Sequence, residues 1–83
     1  MKEQNYHEGQ EDLKELLRQY ENLRTGKVHA FLEEEAFERI IDHFDEIDDF
    51  PKALEVAETG LEYFPFSSQL LIKNADLLIV TRK

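Results

Sequence analysis

Apolar residues recurring three and four positions apart, in segments parted by Gly26, by the Ile47–Asp48 link ahead of Pro51, and by Pro65, constrain this chain to a set of short amphipathic helices. From Gln10 to Arg24 the residues Leu13, Leu16, Leu17, Tyr20 and Leu23 line one face, and Gly26 supplies a C-terminal stop. The first nine residues carry no such row and are expected to be frayed. In the connector KVHAFL, Val28 and Phe31 are placed to tuck against the next helix like a staple. A second helix, about 32–46, has Phe37, Ile40, Ile41 and Phe44 on one face and three glutamates in its first turn, where the helix dipole favours them. Asp49 reads as the N-cap of a third helix with Pro51 in its first turn, because the missing proline N–H would have no partner there. That helix stops before Pro65, since the residue ahead of proline avoids the helical region. Ser67 or Ser68 caps a fourth, running to Val80 or beyond.

Eighty-three residues allow one thin core, and 41% apolar residues rich in Leu, Glu, Ile, Ala and Lys favour an all-α fold of four antiparallel helices. The absence of cysteine removes disulfides, thiol nucleophiles and thiolate metal sites, which fits a cytoplasmic location. No secretory leader or membrane-spanning run is visible. The net charge of −9 is concentrated: residues 33–50 hold nine acids and one base. Such a field repels phosphate backbones and anionic lipid, which argues against nucleic-acid and membrane roles and towards a basic partner.

Helices two and three together read Phe37, Ile40-Ile41, Phe44, then Ala53, Ala57, Gly60 and Pro65. That order and spacing resembles the tetratricopeptide repeat (TPR), a helix–turn–helix unit of 34 residues with the pattern W-x2-L-G-x2-Y…A-x3-F…P. Advancing Phe37, Ile41 and Phe44 by the period lands on Leu71, Ala75 and Leu78, so the fourth helix keeps the register across the proline. Ile41 stands where the family has a small residue and Ala57 where it has a large aromatic, an exchange of bulk at near-constant volume. Gly60 inside a helix points to close approach of a neighbour, one that would relieve the bulk of Ile41, and Asn74 replaces an apolar residue in the second repeat. The resemblance implies residues 32–66 as a TPR-like hairpin and residues 67–83 as the first helix of a second repeat; the first helix fits no repeat register, so residues 10–31 are expected to be a capping helix and connector.

The resemblance also implies a protein-binding surface formed by the first helix of each repeat, with Glu35, Glu38, Arg39, Asp42, Asp45 and Glu46 on helix two. On helix four it implies Gln69, Ile72, Lys73, Asp76 and Ile79. Of these, Glu35, Glu38, Asp42, Asp45, Glu46 and Asp76 are the candidate partner-binding acids, suited to a Lys/Arg-rich segment. The fourth helix is apolar nearly all round, so Leu70, Ile72, Leu77, Ile79 and Val80 are expected to form an edge for the next helix of an array or for a second copy of the chain. The alternative function is therefore a small homodimerisation domain. Catalysis has little material: His43 beside Asp42 and Glu46 is a lone histidine on a charged face, His7 and His29 supply no second ligand, and no cofactor motif is present. The cluster Tyr63, Phe64 and Phe66 around Pro65 is expected to pack the turn between repeats.

Overall fold

The computed structural model describes residues 2–27 and 29–81, residues 2–11 by backbone alone. All regular structure among them is helical: α1 (Lys2–Arg24), α2 (Glu34–Glu46), α3 (Phe50–Tyr63) and α4 (Ser68–Thr81). The chain forms two compact units, residues 1–32 and residues 33–83, each described by itself.

In the first unit, α1 begins well before the expected start at Gln10. The segment 2–11 has no apolar row to bury, but its Lys, Glu and Gln residues are good helix formers. On the exposed face Gln19 and Arg18 both donate to the Glu15 carboxylate, which holds that carboxyl below its usual range. The stop at Gly26 is a left-handed cap with φ +78°: the Gly26 amide bonds the Leu23 carbonyl at 3.2 Å and the Lys27 amide bonds Asn22 at 3.0 Å. The link then turns through His29, also left-handed at φ +73°. Phe31 is exposed rather than tucked away, and Leu32 is the link residue that is buried instead. Val28, its expected companion, lies outside the described residues.

In the second unit the links 47–49 and 64–67 are too short for anything but reversal, so α2, α3 and α4 run up and down. The middle helix, α3, packs against both neighbours, and α2 meets α4 along a narrower seam. The link after α2 has the same bonding as the one after α1. Asp48 takes the left-handed position at φ +63°, its amide bonds Asp45 at 3.0 Å, and the Asp49 amide bonds Phe44 at 2.8 Å. Asp49 then caps α3 by accepting from the Lys52 amide at 3.3 Å, with Pro51 in the first turn. Two of the nine acids of residues 33–50, Asp48 and Asp49, are thereby spent on the turn.

The core draws Phe37, Ile40 and Ile41 from α2, Ala53, Val56 and Ala57 from α3, and Leu70 and Leu77 from α4. Burying each large aliphatic or aromatic side chain is worth about 1.5–3 kcal/mol. Gly60 explains how α3 sits so close to both neighbours. A Cβ there would stand 3.0 Å from Phe37 Cγ and 3.0 Å from Leu70 Cδ1, so the glycine accommodates those two side chains rather than Ile41. The helix ends with the Phe64 amide bonded to the Gly60 carbonyl at 2.8 Å, one residue ahead of Pro65. Ser67 caps α4, its hydroxyl accepting from the Leu70 amide at 3.2 Å.

Leu70 and Leu77, expected on an open edge, are core residues, 0% and 5% exposed. The reason is which side of α4 meets the hairpin: the row Leu70, Asn74, Leu77 faces inward, and the row Leu71, Ala75, Leu78 is left partly or wholly open.

Candidate functional site

Two concave features lie on the second unit, at different places. The first is a groove of about 130 Å3 between α2 and α4. Ile41, Leu77 and Val80 give it apolar lining, and Asp42, Asp45, Asp76 and Lys73 give it charge. Helical spacing accounts for the set: Asp42 and Asp45 are three apart on α2, and Lys73, Asp76 and Val80 are three and four apart on α4. Lys73 Nζ reaches Asp42 Oδ1 at 2.8 Å and ties the two helices together. Asp45 and Asp76 have no such partner among the described residues. The groove is thus acidic after its one internal ion pair is counted.

The packing of α4 on the hairpin therefore brings Asp42, Asp45 and Asp76 together. Glu35, Glu38 and Glu46 lie elsewhere on α2: Glu35 and Glu46 are exposed, Glu38 is half-buried, and none of them lines the groove. His43 packs edge-on to Phe44, with ring centres 4.9 Å apart. Among the described residues no group of three or more His, Asp or Glu side chains is placed to hold a metal ion, and the His7 side chain lies outside them. Ile72, Ile79 and Val80 are exposed on α4 together with Leu71, while Leu70 and Leu77 are buried.

The second feature is an open cavity of about 680 Å3 at the α3–α4 turn, lined by Glu34, by Tyr63 to Ser68 and by Gln69. Sequence reasoning passes over Glu34 here. Its carboxylate accepts from the hydroxyl of Ser67, so one side chain of the first turn of α2 clamps the cap of α4. A contact 33 residues apart leaves no local pattern by which to find it. The turn aromatics divide their work. Tyr63 stacks on Phe37 with ring centres at 6.2 Å, and Phe64 meets the same ring edge-on at 6.1 Å, as turn packing requires. Phe66 does not pack: it is 92% exposed.

Comparison with models of known protein families, with curated proteins and with solved structures finds no match. Among the described residues no helix is long and apolar enough to cross a membrane.

Proposed function

We propose that this chain is a non-catalytic, cytoplasmic protein-interaction module on a TPR-like helical scaffold, part of a longer array, and that it takes a Lys- or Arg-rich segment of a partner. The observation that supports this most directly is the α2–α4 groove, where three aspartates surround apolar lining and one lysine offsets only part of their charge. A basic side chain is amphipathic in the matching sense: its methylene stem suits Leu77 and Val80, and its head suits Asp45 and Asp76. The acidic field over residues 33–50 adds attraction at a distance and raises the association rate. Reading the chain as part of an array rests on the row Leu71, Ala75, Leu78, which repeats Phe37, Ile41, Phe44 at the 34-residue period but lacks a covering helix among the described residues.

The test is binding of an oligolysine or oligoarginine peptide across a salt series. The expected affinity falls steeply between low and physiological ionic strength, and the pair Asp45→Asn and Asp76→Asn together weakens binding about tenfold or more, with the fold unchanged. Affinity flat in salt, or unmoved by the double substitution, would remove the groove from consideration.

A second reading, self-assembly of two copies through α4, is favoured by the exposure of Leu71, Ile72, Ile79 and Val80 on one small helix. Light scattering across a dilution series separates the two. A mass that halves on dilution, and is monomeric throughout when Ile79 and Val80 are replaced by serine, supports self-assembly. A constant monomer mass disposes of it.

A further inference from the structure

The cavity at the α3–α4 turn has a chemistry of its own. Its apolar part is aromatic, with Tyr63 half exposed at 49% and Phe66 almost wholly so. The backbone presents Phe66 rather than leaving it loose. The Ser67 amide bonds the Phe64 carbonyl at 3.1 Å across the turn, and α4 begins at the next residue. Its polar part is the Glu34 carboxylate, whose Oε2 takes the Ser67 hydroxyl while Oε1 has no partner among the described residues. The Ser67 hydroxyl is fully engaged, donating to Glu34 and accepting from Leu70, so the carboxylate is held in place by a fixed donor. Among the described residues no lysine or arginine lines the cavity, and Glu33, Glu35 and Glu62 stand exposed on the adjoining turns of chain.

We infer that this cavity is a docking point for an arginine side chain of a partner polypeptide. The choice follows from charge and shape together. An anion would meet Glu34 and its acidic neighbours, and a purely apolar side chain would cover the rings but strip water from a carboxylate without replacing it. A cation satisfies both halves of the site. Among side-chain cations that stay charged at neutral pH, guanidinium alone is planar and can lie on a phenyl or phenol face while its edge donates to the free Oε1. A lysine ammonium can pair with Glu34 but cannot stack. The N-terminal end of α4 places partial positive charge, about half an elementary charge, beside the same carboxylate. That charge offsets part of the attraction, so a single arginine binds in the millimolar range and gains strength only as one contact of a longer segment. The cavity volume falls within the range of about 300–1,000 Å3 usual for ligand clefts, which leaves room for the residues flanking the arginine. This inference goes beyond the acidic groove and does not depend on it, because the two sites share no residue.

The experiment is an amide NMR titration of the full 83-residue chain with Nα-acetyl-arginine methylamide. The neutral isostere Nα-acetyl-citrulline methylamide and Nα-acetyl-lysine methylamide serve as controls. Saturable shifts confined to residues 62–70 and the first turn of α2 are expected with arginine, several-fold weaker ones with lysine, and none with citrulline. Phe66→Ala and Glu34→Gln should each reduce affinity about five- to tenfold. Phe66 is too exposed for its loss to unfold the chain, and glutamine can still accept from Ser67, so the spectra of both variants should remain those of the native fold. Absence of saturable shifts up to tens of millimolar, equal response to citrulline or lysine, or full binding by either variant overturns the inference. Shifts appearing only around Asp45 and Asp76 also overturn it, while supporting the groove.

Discussion

Helices α2 and α4 carry matching rows 34 residues apart, and the matching residues have different fates. On α2, Phe37, Ile40 and Ile41 are buried and Phe44 is half-buried, because α3 lies across them. On α4 the corresponding residues are Leu71, Asn74, Ala75 and Leu78. Leu71 is 48% exposed, Ala75 is exposed, and Asn74 and Leu78 are half-buried. The residues that α4 buries instead, Leu70 and Leu77, match Ala36 and His43 of α2, both half-buried. Burial is therefore a property of the neighbour and not of the row. A repeat-like sequence specifies where a helix can be covered, and only the next element decides whether it is.

A matched truncation separates the two helices most directly. Phe37→Ala removes a ring that is 0% exposed and stacked under Tyr63, and should cost about 3–5 kcal/mol in urea unfolding. Leu71→Ala, at the equivalent position, should stay within about 0.5–1 kcal/mol. Equal costs would mean that Leu71 is covered in solution, and the asymmetry between α2 and α4 would vanish.

Asn74 differs from α2 in polarity as well, since its counterpart Ile40 is a core residue. The Asn74 Oδ1 is shut away from solvent without a hydrogen-bond partner among the described residues. Leaving such an acceptor unpaired costs about 1–3 kcal/mol. Asn74→Leu should therefore stabilise the chain by about that amount, seen as a higher urea midpoint at unchanged slope. A loss of stability would show that the amide has a role that the helix packing does not reveal.

A smaller effect is expected at Gly60, where α3 separates Phe37 of α2 from Leu70 of α4. Gly60→Ala gains about 1 kcal/mol of helix propensity and loses about 1–3 kcal/mol to overpacking, a net destabilisation of about 1 kcal/mol. Shortening Leu70 to valine should recover part of it, since Leu70 Cδ1 is one of the three atoms a new methyl would strike. If the alanine variant is the more stable protein, α3 has room that the 3.0 Å approaches deny.

These contrasts also mark what the sequence can and cannot disclose. Helix ends are legible because they rest on local chemistry: Gly26, Asp49, Pro51, Pro65 and Ser67 act within a few residues of themselves. Asp48 is less obvious, since nothing but the backbone tells that this acid, among its neighbours, takes the left-handed position. The assignment of Leu70 and Leu77 to an edge fails for a different reason. Three apolar rows on one helix are equivalent until a neighbour chooses among them, and the period points to the row that α2 buries, not the row that faces back onto the hairpin. Of the candidate acids, Asp42, Asp45 and Asp76 line one groove because each lies on the flank of its helix that faces the other. Glu34 escapes because its partner, Ser67, is remote in the chain and belongs to a turn rather than to a helix row.

The smallest expected effect on stability concerns Lys73, which stands one period after Arg39 and so gives both helices a base at the same register. In the groove Lys73 spends its charge on Asp42, whose side chain is 56% exposed, so solvent screens the pair and its removal should cost at most about 1 kcal/mol. Lys73→Gln should nevertheless change binding more than folding. It frees Asp42 and leaves three aspartates uncompensated, so a basic peptide should bind several-fold more tightly at low salt, with the gain fading as salt is added. The opposite sign, looser binding in the glutamine variant, would mean that the ligand meets Lys73 itself. The groove would then be read as a site for a carboxylate or a carbonyl, and the acids around it as the solvated flank of two helices.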